Sequence, residues 1–88
     1  MRWPWQPRRT VTVYTRERCG LCRAAEGLVA REAAGHHIEL VDVDADPDLQ
    51  RAYHLRVPVV AVDGTEIAQG QVAPGAVRTA LRARRRSP

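Results

Sequence analysis

Eighty-eight residues, 44% hydrophobic and 27% charged, suffice for one globular domain and argue against a disordered chain. No apolar run reaches the ~20 residues of a membrane span. Residues 1–9 lack the apolar stretch and cleavage site of a secretory signal, so we expect a cytoplasmic protein without membrane contact. The net charge of +4 sits at the ends: residues 10–81 hold seven arginines against ten acids, a net of −3, which argues against a nucleic-acid surface on the domain itself.

In chain order, residues 1–9 read as a flexible basic segment in which Trp3 and Trp5 pack loosely or not at all. The alternating, β-branched Thr10–Thr15 reads as a strand. From Leu21 the apolar positions Leu21, Ala24, Ala25, Leu28, Val29 and Ala33 fall on one helix face, and Gly35 suits its left-handed end. Residues 38–43 form a second strand. Asp46 and Pro47 supply a cap and a first helical residue for a helix to about His54. Residues 57–62, almost wholly apolar, suit a central strand buried on both faces. Asp63-Gly64 is a hairpin turn into residues 66–70. A last helix opens at Pro74-Gly75 with Val77, Ala80 and Leu81 inward, and residues 84–88 form a basic tail. The class is α/β, in the order β-α-β-α-β-β-α. Strand–helix alternation favours parallel pairing of the first three strands, with the hairpin adding an antiparallel edge.

Cys19 and Cys22, the only cysteines, lie between the first strand and the first helix. A thiol at a helix start meets orphan N–H groups and the positive end of the macrodipole, both of which favour the thiolate that attacks disulfides. Cys22 lies in line with Ala25 and Val29, whereas Cys19 precedes the stripe. One cysteine should therefore be partly exposed and the other buried. Arg16, Arg18 and Arg23 should make the helix start electropositive. A metal site is the alternative, but zinc wants four ligands, and His36 and His37 lie at the far end of the helix, roughly 20 Å away. Only His54 remains. Asp42, Asp44 and Asp46 imitate a calcium loop, yet Pro47 occupies its glycine position and Tyr53 its bidentate acid. We therefore expect no metal.

Tyr14-Thr15-Arg16-Glu17-Arg18-Cys19-Gly20-Leu21-Cys22 resembles the active-site segment of glutaredoxins, Tyr-Thr-Lys-x-x-Cys-x-x-Cys. Val57-Pro58 resembles their Val-Pro element, and the element order is similar to the minimal thioredoxin fold. The likeness spans residues 10–83. It implies a four-stranded mixed sheet with helices on both faces and a thiol–disulfide oxidoreductase that reduces protein or low-molecular-weight disulfides. It casts Cys19 as nucleophile and Cys22 as resolving cysteine. Arg16, Val57, Pro58 and Gly70 become candidate substrate-binding residues, with a cis Val57–Pro58 bond facing the cysteines and the Val57 backbone free to pair with a substrate. No bound cofactor is implied beyond a redox-active disulfide, with glutathione or another small thiol as candidate reductant.

The departures matter too. Where glutathione-binding members carry Gly-Gly, an aromatic residue and an Asp, this chain has Gly70-Gln71-Val72-Ala73-Pro74, which argues against tight glutathione recognition. The expected partners are a disulfide-containing protein or small thiol and a reductase or thiol electron donor, met by a monomer. A non-catalytic binding module on the same fold is the other reading.

Overall fold

Alternation of β-branched residues along β1 (Thr10–Thr15) buries Val11, Val13 and Thr15 on one face and turns Thr10, Thr12 and Tyr14 to the other. The computed structural model describes residues 8–83; Trp3, Trp5 and the 84–88 tail lie outside the described residues. From β1 the chain continues through α1 (Gly20–Glu32), β2 (His37–Asp42), a 3-10 turn (Val43–Ala45) and α2 (Pro47–Tyr53). It ends with β3 (Val59–Val62), β4 (Thr65–Gln69) and α3 (Ala76–Arg82). The element order is the expected one.

Local chemistry sets most boundaries. The Asp46 side chain accepts the N–H groups of Asp48 and Leu49, and Pro47 takes the first helical position of α2. Asp63 and Gly64 adopt φ of +50° and +86°, the two positive values a tight hairpin between twisted strands requires. The first helix ends just before the left-handed Gly35, as expected. Ala33 caps it, donating to the Val29 carbonyl, and Gly35, at φ +90°, turns the chain into β2 two residues later.

The sheet order is β2-β1-β3-β4. β1 and β2 are parallel, but β3 runs antiparallel to β1, with Val11 opposite Val62 and Tyr14 opposite Val59. The expectation of three parallel strands is thus corrected. Strand–helix alternation does not say at which end of the sheet a connection returns. Here β3 enters beside the end of β1, with Val59 opposite Tyr14, so the chain re-enters the sheet at the end where β2 left it and runs back antiparallel. β4 adds the antiparallel edge, with a register shift between Val60 and Ala61.

α1 and α3 cover the face that bears Val11, Val13, Val60 and Val62, closing a core with Ala25, Val29, Ala33, Val72 and Val77. Each fully buried valine contributes roughly 1.5 kcal/mol or more. α2 lies on the opposite face, where Tyr14 stacks on Tyr53 at 4.1 Å between ring centroids. All four residues of β3 are buried, as an inner strand covered on both sides should be. Arg9 belongs to this folded unit rather than to a flexible segment. Its N–H meets His36 Nδ1 at 3.0 Å, its carbonyl accepts from His37, and its side chain pairs with Asp63 at 2.8 Å.

Candidate active site

The loop between β1 and α1 carries Arg16 to Arg18 and delivers Cys19 to the N-cap of α1. Arg18 turns the chain through a left-handed φ of +58° immediately before it. Cys19 has extended backbone and is disulfide-bonded to Cys22, with Cα atoms 5.1 Å apart. The Cys22 amide points at Cys19 Sγ, 3.1 Å away. An orphan donor at the helix start thus faces the sulfur that carries charge once the disulfide opens. Cys19 is partly exposed, and Cys22, on the stripe with Ala25 and Val29, is 0% exposed. The expected asymmetry between the two cysteines is present.

The arginine-rich flank differs from expectation. Arg16 Nε and Nη2 meet the two carboxylate oxygens of Asp44 at 3.0 and 2.6 Å, and Nη1 donates to the His54 carbonyl at 3.1 Å. This pairing raises the Arg16 pKa and holds Asp44 below the usual carboxylate range, with Gln50 as a second donor to Asp44. Arg23 Nη2 meets Glu26 at 2.7 Å, the Arg16 carbonyl at 2.8 Å and Thr15 Oγ1 at 3.1 Å. Thr15, buried at the end of β1, donates to the same Glu26 carboxylate at 2.5 Å. Two of the three cations are therefore neutralised within the fold. Arg18 is exposed and forms no ion pair among the described residues. What remains beside Cys19 is the helix end with its amides and the unpaired Arg18.

Val57 and Pro58 approach from β3. The Val57–Pro58 peptide is cis, and Pro58 is buried. Because Val59 lies opposite Tyr14, Pro58 falls level with Thr15, at the strand end from which the Cys19 loop departs. The Val57 backbone is only half free. Its N–H donates to the Tyr53 carbonyl at 3.2 Å, continuing the turn that closes α2, while its carbonyl accepts no bond from another described residue. Gly70, at φ +71°, donates its N–H to the Pro58 carbonyl at 2.8 Å and so fastens the proline to the end of β4.

Sequence reasoning named Asp44, His54 and Thr15 without their part in holding the arginines, and did not single out Glu26. Glu26 had a signal, standing one helical turn after Cys22. The Asp44 pairing had none, since it joins residues 28 apart through the tertiary fold. Among the described residues no three His, Cys, Asp or Glu side chains gather as a metal site needs. His36 accepts from Arg9, His37 faces Glu39, and His54 contacts Arg16. No helix among the described residues is long and apolar enough to cross a membrane.

Comparison with known proteins agrees with this geometry. The family model of the glutaredoxin-like domain matches residues 10–82. The X-ray structure of protein XcR50 from X. campestris is 35% identical, covering 81% of this chain and 93% of that one at a TM-score of 0.69. Protein Ne2328 from Nitrosomonas europaea is 26% identical, covering 84% of this chain and 92% of its own at a TM-score of 0.64. A thioredoxin from Halobacterium salinarum, 24% identical over 82% of this chain and 70% of that one, shares the fold at a TM-score of 0.62. No curated protein sequence matches. With a family model spanning β1 to α3 and a Cys-x-x-Cys pair heading α1, this chain belongs to the glutaredoxin-like domain family.

Proposed function

We propose that the protein is a thiol–disulfide oxidoreductase that reduces disulfides through Cys19 and Cys22. The observation that carries this reading is the pair itself: a partly exposed sulfur at a helix N-terminus joined to one that is fully buried. In the reduced protein the Cys19 thiolate attacks one sulfur of a substrate disulfide. A Cys19–substrate disulfide forms, and the substrate's other sulfur leaves as thiolate. Cys22, once deprotonated, attacks Cys19 Sγ, the mixed disulfide breaks, and the second substrate thiolate leaves. The protein is left as the Cys19–Cys22 disulfide, and an external dithiol or two monothiols return the two electrons. The open Val57 carbonyl offers one hydrogen-bond acceptor to an incoming amide, beside Pro58 and Gly70. A chain with this role works as a monomer in a reducing compartment, the cytoplasm.

Cysteine substitution tests the mechanism. Cys19→Ser should abolish disulfide reduction, and Cys22→Ser should accumulate mixed disulfides that mass spectrometry detects on Cys19. Full reduction by the Cys19→Ser protein would refute the assignment.

A further inference from the structure

The guanidinium of Arg16, three residues before Cys19, is already occupied by this chain's own groups. Arg16 meets both oxygens of Asp44 at 3.0 and 2.6 Å and the His54 carbonyl at 3.1 Å. That two-pronged contact uses the planar fork with which arginine grips a ligand carboxylate. Arg23 is likewise held, by Glu26, Thr15 and the Arg16 carbonyl, which leaves Arg18 as the one flanking cation without an ion pair among the described residues. Apart from Arg18, the exposed side chain between the cysteines is apolar: Leu21 is 48% exposed.

We infer that Asp44 is a specificity-determining residue: by filling the Arg16 fork it turns the site away from small anionic disulfides and toward disulfides with neutral or apolar surroundings. The inference rests on the disulfide-reducing role proposed above. An incoming carboxylate must displace Asp44 from two charge-assisted bonds and then sit beside the carboxylate it has displaced. A neutral disulfide meets neither obstacle. Asp44 touches neither cysteine and acts only through Arg16.

The test compares reduced wild-type and Asp44→Asn proteins in single-turnover attack of Cys19 on two probes. Oxidised glutathione carries carboxylates, and 2-hydroxyethyl disulfide carries no charge. The variant should gain on the order of fivefold toward the anionic probe, the size of one exposed charge interaction, and nothing toward the neutral one. The gain should vanish at about 1 M salt, where the Debye length is roughly 3 Å. It should also vanish in an Arg16→Gln/Asp44→Asn double variant. Asp44→Ala, which leaves no amide for Arg16 to hold, repeats the measurement if the asparagine variant folds poorly. An equal change toward both probes, or no change toward either, overturns the inference while the disulfide-reducing role stands. Absence of any attack by wild-type Cys19 on either probe overturns that role, and the inference with it.

Discussion

Glu32, in the last turn of α1, accepts the Gly75 amide at 2.7 Å and the Arg78 amide at 2.9 Å, capping α3 from 43 residues away. Gly75 itself, at φ +90°, has no side chain with which to cap the helix it opens. A seven-residue helix is far too short to persist alone, so its first-turn donors depend on this carboxylate. Replacing Glu32 by alanine should cost about 1 kcal/mol and lower the melting temperature by roughly 4–8 °C. Calorimetry or a urea melt reads this directly, and a neutral outcome would mean that water caps α3 equally well.

The same carboxylate makes stability depend on acid. Partial burial pushes the Glu32 pKa up, but the amides of Gly75, Arg78 and Val77 and the Arg78 charge outweigh it, leaving the group below its ordinary 4.5. The folded state then binds this proton more weakly than the unfolded chain. Its contribution is complete above about pH 4.5 and fades as pH falls through the lowered folded value. The stability gap between wild type and Glu32→Gln should therefore hold steady well above pH 4.5 and shrink as pH falls below it, through the lowered folded value. A gap that held constant would assign the effect to shape rather than charge.

At its other end α3 is closed by Arg9. Nη1 reaches the carbonyls of Ala80, Leu81 and Ala83 at 3.3, 2.9 and 3.2 Å, while Nε holds Asp63. Carbonyls in a last helical turn lack the usual donor four residues on, although that of Ala80 also accepts the Ala83 amide at 3.3 Å, and a cation suits the negative end of the helix. Arg9→Ala should cost about 1–2 kcal/mol and speed amide exchange in α3 selectively. Arg9→Lys should fall between, since it keeps the charge and loses the fork. Unchanged exchange in α3 would show the cap to be idle.

α2 buries none of its residues fully and is held from its C-terminal end. Tyr53 stacks on Tyr14 with planes 13° apart, and the Arg56 guanidinium lies 5.3 Å from the Tyr53 ring centroid while pairing with Glu66. Tyr53→Ala should remove about 0.5–1.5 kcal/mol of ring–ring interaction beyond the lost area, whereas Tyr53→Phe keeps the stack and should be close to neutral. Exchange of the α2 amides should rise ahead of those in α1. A uniform rise across both helices would mean α2 unfolds only with the whole domain.

What the sequence revealed tracks how far each determinant reaches. Asp46-Pro47, Asp63-Gly64 and the alternation of Thr10–Thr15 act within a few residues, and their elements appear where expected. The burial of Cys22 followed from its place on a periodic stripe. The direction of β3 did not follow, because alternation of strands and helices does not say at which end of the sheet the chain returns after β2. The pairing of two of the three flanking arginines was hidden for a related reason. Arg16, Arg18 and Arg23 read as a cluster of charge until the fold brought Asp44 to Arg16 and aimed Glu26 at Arg23. The Val57 N–H was likewise expected to be free, and only the turn after α2 commits it to Tyr53.

The Arg9 contact with Ala83 joins the chain just ahead of the first strand to the chain just past the last helix, at 3.2 Å. Entry and exit of the domain are thus neighbours, and a short linker could weld them without crossing the sheet. Fresh ends opened at the exposed Gly64 would leave the Cys19 loop, Pro58 and the inner strands uninterrupted. A circularly permuted chain cut there should keep its fold and its cysteine chemistry, with the β3–β4 hairpin as the only joint it gives up.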